Sequence, residues 1–248
     1  MLADIFTVMT KEWKEMFLSK ARVGWQRGGL ASLLILVGLF GIFFPLRTGP
    51  TWVNSPILLL LWAWIPFILV TSVVADSFAG ERDRHTLETL LATRLPDRAI
   101  LFGKLNAAVG YGWGFSLVTL VISLAVLNLA FGREQLLMYP SGILVGMMTW
   151  SLLVSLLGSG IGVLVSLHAS SVQQAQQQLN LGTFAVMFVP IVVFQLLPSE
   201  TRAAVATALA SGQVGGVVAA VAIGLLIIDV IFIALALARF QRAKLILD

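Results

Sequence analysis

The sequence predicts an all-α membrane protein with six transmembrane helices and cytoplasmic N- and C-termini. An N-terminal interfacial amphipathic helix and short cytoplasmic helices complete the fold class. Three observations predict it. Of 248 residues, 58% are hydrophobic and only 11% charged, against about 25% charged in an ordinary soluble domain. Six stretches, at about 30–46, 56–79, 105–131, 141–167, 179–197 and 215–238, approach the roughly 20 apolar residues that a span needs. Lysine and arginine also alternate between the two sides of these stretches. Thirteen fall in the N-terminal segment, the 80–104 loop and the C-terminal tail, and only Arg47, Arg133 and Arg202 fall opposite. Positive charge concentrates on the cytoplasmic side, which places both ends there. The chain is thus expected in the cell (inner or cytoplasmic) membrane, as one transmembrane domain over 1–248.

The net charge of +4 follows from that asymmetry and needs no nucleic-acid partner. Zero cysteines exclude disulfides, thiol catalysis and cysteine-bound metals. The first residues, MLADIFTVMTKEWKEMF, lack the pattern of a removable signal peptide.

The interfacial segment comes first, at 1–29. Between residues 4 and 18, Ile5, Met9, Trp13 and Met16 recur at helical spacing, with Lys11, Glu12, Lys14 and Glu15 largely off that stripe. The pattern suits a helix lying on the membrane and equally a plain basic anchor. Spans one and two follow. Between spans two and three, the 80–104 loop holds nine of the twenty-eight charged residues, although the whole chain has a mean hydropathy of +0.96. Its TLETLL stretch (86–91) is a good helix former with Leu87, Leu90 and Leu91 on one side. The acids Glu81 and Asp83 lie near the helix start, where the dipole favours them, and Pro96 marks a break. This amphipathic element suits docking to a protein partner.

Spans three and four contain the pairs Gly110/Gly114, Gly142/Gly146 and Gly158/Gly162, which suit close helix packing in lipid. A second cytoplasmic loop, 168–178, is rich in glutamine without lysine or arginine. It offers hydrogen bonds without fixed charge, as a second docking surface or simply a soluble turn. The alanine-rich SETRAAVATALAS stretch (199–211) predicts an external helical element within 198–214. Asp229 stands inside the last span, where a carboxylate costs about 2.5–3.5 kcal/mol on insertion scales. It should therefore point inward, as a hydrogen-bonded structural group or a functional one.

Chemistry in the chain itself is not indicated. Gly103-Lys104 is followed by Leu105 with no upstream glycine at phosphate-loop spacing, and His85 and His168 form no ligand pattern. No catalytic residue, metal ligand or cofactor site is expected.

The loop ERDRHTLETLLATRLPDRAILFGK resembles the motif between spans two and three of ABC-2-type ABC transporter permeases. The acidic-basic cluster is Glu81 to Arg84, the helix is Thr86-Leu87-Glu88, the break is Pro96, and Gly103-Lys104 closes it. KEWKEMFLSK (11–20) resembles the family's interfacial helix, and SVQQAQQQLNL (171–181) its second cytoplasmic loop. His85 departs from the family's frequent glycine, and Arg94 from its frequent proline. The resemblance implies a permease subunit, an exporter by analogy, coupled to two copies of a separate ABC ATPase that binds ATP and Mg. It also implies a second permease chain, identical or homologous. The coupling interface would be Glu81, Arg82, Thr86, Leu87, Glu88 and Leu91, with Gln173, Gln174 and Gln177 in the second loop. Two other classes stay open: an ion-coupled secondary transporter or channel-like protein using Asp229, and a membrane anchor for an ATPase complex that drives extracellular machinery.

Overall fold

The computed structural model describes residues 1–23, 29–54, 62, 64–83, 95–132, 135–201 and 215–240. Side chains at 17–23, 29, 30, 82, 185–191, 193, 194 and 215–218 are outside that description. The described residues are helical almost throughout and contain no strand. The elements are α1 (Leu2–Val23), α2 (Gly29–Leu36), α3 (Phe44–Thr48), α4 (Trp64–Asp83), α5 (Asp97–Phe131), α6 (Ser141–His168), α7 (Val172–Leu196) and α8 (Gly215–Arg239). A wide-turn π segment, Val37–Phe43, joins α2 to α3, and a 3-10 segment, Gly49–Asn54, follows.

Among the described residues, five helical stretches are long and apolar enough to cross a membrane: Ala31–Asn54, Trp64–Glu81, Asp97–Phe131, Ser141–His168 and Ala219–Arg239. The predicted fifth span, 179–197, runs along α7 to its C-cap Leu197, and its side chains at 185–191, 193 and 194 lie outside the described residues. The predicted external helix begins at 199–201, and 202–214 lies outside the described residues.

Two predicted loops are shorter than expected, because the spans run past the lipid. Residues 80–83 finish α4 and 97–104 open α5, a helix of 35 residues whose first turn carries Asp97. The predicted second cytoplasmic loop, 168–178, contracts to a turn at 169–171. Ser171 caps α7 by accepting from the Gln174 amide at 3.2 Å, so the helix starts at Val172. On the opposite side, Asn128 pins the segment after α5. Its Nδ2 donates to the Leu137 carbonyl and its Oδ1 accepts from the Leu137 amide.

Among the described residues the core has three apolar clusters, the two larger of which lie along the bundle. Val70, Val74, Phe78, Ile100, Leu101, Leu105, Val163 and Ala236 fill the end near the 80–104 loop. Trp52, Trp62, Ile65, Leu69, Leu120, Leu127, Tyr139 and Met147 fill the other. The main seam joins α4 to α6, and glycine makes it. A Cβ on Gly158 would stand 3.2 Å from the Phe67 ring, and one on Gly162 would stand 2.9 Å from Val74 Cγ1. Of the three predicted glycine pairs, this one makes a helix seam. Gly114 and Gly142 face open space, and Gly110 packs on Trp13. Gly112, which the spacing did not single out, brings α5 against Pro66 and Val70 of α4. Gly162→Leu is expected to lower stability by about 1–3 kcal/mol through overpacking. The thermal unfolding midpoint of the detergent-solubilised protein checks this, and an unchanged midpoint would refute the seam.

Candidate cytoplasmic coupling site

Alpha-helix α1 docks where α4 ends and α5 begins, and its buried face differs from the expected stripe. Val8 and Glu12 are the buried positions, with Ile5, Met9 and Met16 half-buried beside them. Trp13 lies at the margin, its Nε1 donating to the Ala107 carbonyl at 3.1 Å. Glu12, expected off the stripe, is on it, because a buried cation waits opposite.

That cation is Lys104, 2% exposed. Its Nζ donates to Glu12 Oε1 at 2.9 Å and lies 2.8 Å from Glu81 Oε1. It also donates to the Ser77 carbonyl at 3.0 Å and to Ser77 Oγ at 2.9 Å. The Ser77 hydroxyl in turn donates to Glu12 Oε2 at 2.8 Å. The ammonium stands 5.3 Å from the Phe78 ring centroid, within cation–π range. Lys11 closes the cluster from outside, 3.9 Å from Glu12, 3.8 Å from Glu81 and 3.3 Å from Glu15. Burial pulls the Lys11 ammonium down, but the Glu15, Glu12 and Glu81 carboxylates outweigh it and leave its pKa raised. Two lysines thus balance Glu12 and Glu81 in one joint that holds three helices. Taking a charge out of water costs several kcal/mol, and only such close pairing and full hydrogen bonding offset it.

The glycine before Lys104 has a separate task. A Cβ on Gly103 would lie 2.5 Å from Val8 Cβ and 3.1 Å from the Ile5 carbonyl. Only a bare backbone lets α1 come close enough for Glu12 to reach Lys104. Gly103-Lys104 therefore reads as close approach followed by an ionic clamp.

The turn at 169–171 is tied to the same place. Asp83 Oδ2 accepts from the Val172 amide at 3.0 Å. Ala175 and Leu179 pack on Ala75 and Ala79 of α4. Gln174 Oε1 accepts from the Ser170 amide and hydroxyl at 2.8 and 2.7 Å.

The sequence-predicted site residues separate accordingly. Glu81 is buried and its carboxylate is spent within the chain on Lys104. Gln173, Gln174 and Gln177 are exposed on the first turns of α7. Thr86, Leu87, Glu88, Leu91 and the Arg82 side chain lie outside the described residues. Sequence reading missed Glu12, Ser77 and Lys104 as a unit. Glu12 and Lys104 are 92 residues apart, and the one available signal was an acid at helical spacing from Ile5 and Met9.

Asp229 does point inward, at 1% exposure, as its depth in the span predicted. Among the described residues, neither of its carboxylate oxygens has a hydrogen-bond partner. The expected bond to a serine or threonine of a neighbouring span is not made. Among the described residues no group of three or more histidine, cysteine, aspartate or glutamate residues could hold a metal ion.

No family model matches the chain. Over 161 residues, 57% of this chain, it is 29% identical to the ABC transporter permease protein NatB of Bacillus subtilis (strain 168). The chain is similar to an ABC transporter permease. The match spans 40% of that relative's length, so the chain corresponds to less than half of it. Apolar helices and this similarity together support a multi-pass membrane protein.

Proposed function

We propose that the chain is the membrane-spanning subunit of an ATP-driven transporter of the ABC-2 type, an exporter, with six spans and both termini cytoplasmic. It works with two copies of a separate ATPase, which binds ATP and Mg, and with a second permease chain, identical or homologous. The observation that carries this reading is the Lys104 joint. It clamps together the helices that enter and leave the 84–94 segment, and it holds α1 to both. A push on that segment cannot splay α4 from α5 without separating buried charges, so the push passes into the spans and into α1 as one body. The similarity to a permease supports the same reading.

The ATPase would dock on Arg82, Thr86, Leu87, Glu88 and Leu91, with Gln173, Gln174 and Gln177 beside them and Glu81 supporting from within. Leu87→Asp and Glu88→Lys are expected to reduce co-purification of the ATPase by about tenfold or more, because buried interface anchors cost about 2 kcal/mol or more when lost. The thermal stability of the permease alone should not change. Normal co-purification and normal cargo-stimulated ATP hydrolysis in both variants would overturn the docking assignment.

A further inference from the structure

Between α6, α7 and α8 a crevice of about 400 Å³ opens at the bundle end near the cytoplasmic loops. Its walls are Leu164, Val165 and Leu235, and its rim is His168, Gln178 and Arg239. His168 closes α6 and Arg239 closes α8, so the rim lies where two spans leave the apolar layer. No carboxylate lines it.

Among the described residues, Arg239 and Gln178 are not spent on the protein. Arg239 makes no ion pair with any described carboxylate, and the Gln178 amide bonds no described residue. The His168 Nδ1–H donates to the Leu164 carbonyl at 2.8 Å, which leaves Nε2 of the neutral ring as an acceptor. The C-terminal ends of α6 and α8 carry partial negative charge, so the side chains and not the helix dipoles must attract an anion here.

We infer that this crevice binds an anionic glycerophospholipid of the cytoplasmic leaflet. The acyl chain lies along Leu164, Val165 and Leu235, and the phosphate meets Arg239 and Gln178 beside the His168 ring. The charge complementarity matches the chemistry of that leaflet, whose anionic lipids collect in basic pockets between spans. A zwitterionic lipid offers the same chains but no net charge to the rim.

Native mass spectrometry of the intact, detergent-purified chain tests this with added phosphatidylglycerol or phosphatidylcholine of identical chains. Wild type is expected to retain phosphatidylglycerol about tenfold better, as for one charge-assisted contact. Arg239→Gln combined with His168→Gln should remove that preference, and Leu235→Trp should lower retention of both lipids by filling the crevice. Size-exclusion profile and thermal midpoint report folding of each variant. Excess inorganic phosphate should not displace the lipid; if it does, the site takes a free anion and the lipid assignment falls. Equal retention of the two lipids by wild type, or unchanged preference in the Arg239→Gln/His168→Gln variant, overturns the proposal. A changed oligomeric state in Leu235→Trp with unaltered lipid retention also overturns it, and marks the crevice as a contact between copies of the chain.

Discussion

Lys104→Met is expected to destabilise the folded chain by about 3–5 kcal/mol, the usual result of removing one partner from a buried ionic group. Two carboxylates, Glu12 and Glu81, would be left facing each other with the exposed Lys11 as their nearby cation. The methionine is close in shape, so packing loss contributes little and the charge dominates. Methionine with Glu12→Gln and Glu81→Gln in the same chain should recover most of the loss, because replacing a whole buried set is often near neutral. Thermal unfolding in detergent measures both, and limited proteolysis reports whether α1 has come away. A wild-type midpoint for Lys104→Met, or no recovery in the triple variant, would remove the clamp from the account. The triple variant also separates charge from mechanics: if the joint serves coupling through rigidity, restored packing should restore cargo-stimulated ATP hydrolysis as well.

The same cluster shows what the sequence could and could not disclose. Span positions were legible because lipid demands a long apolar run, and that demand is local. Helix ends were not, since α4 and α5 continue past the lipid into the charged loop, where hydropathy falls while helix geometry persists. Trp13 and Met16 were readable as an apolar stripe. Glu12 was assigned to the outer face because an acid is ordinarily solvated, and only a lysine 92 residues away reverses that. Gly158 and Gly162 were correctly paired by spacing, whereas Gly114 has the same spacing and meets nothing. Small-residue spacing states which face can approach a neighbour, and the neighbour decides whether it does. The proposed docking residues Leu87 and Glu88 lie outside the described residues, and they rest on an amphipathic pattern and a resemblance, both local to the loop.

Asp229→Leu is expected to raise the stability of the isolated permease by about 2–3 kcal/mol, in the range set by an unsatisfied buried polar group and by intramembrane carboxylates. The position explains the sign. Asp229 shares a helical stripe with Phe232, Ala236 and Phe240, the face that α8 packs inward, where a Cβ on Gly160 of α6 would stand 2.9 Å from Phe232 Cβ. Its neighbours Ile228 and Val230 point out to the lipid side, 42% and 61% exposed. An acid on the packed stripe is cut off from water, and here it has no hydrogen-bond partner to offset that isolation. Leucine fits a mostly apolar seam without the desolvation cost. Asp229→Asn should gain much less, because the amide is equally unpartnered in that setting. Thermal unfolding of the three proteins, each purified alone, gives the order leucine above asparagine and wild type. A leucine variant less stable than wild type would show that the carboxyl is held by a polar group or water, and that its burial serves the fold. A more stable leucine variant that no longer supports cargo-stimulated ATP hydrolysis would locate the acid's role in transport, at a stability cost the fold carries.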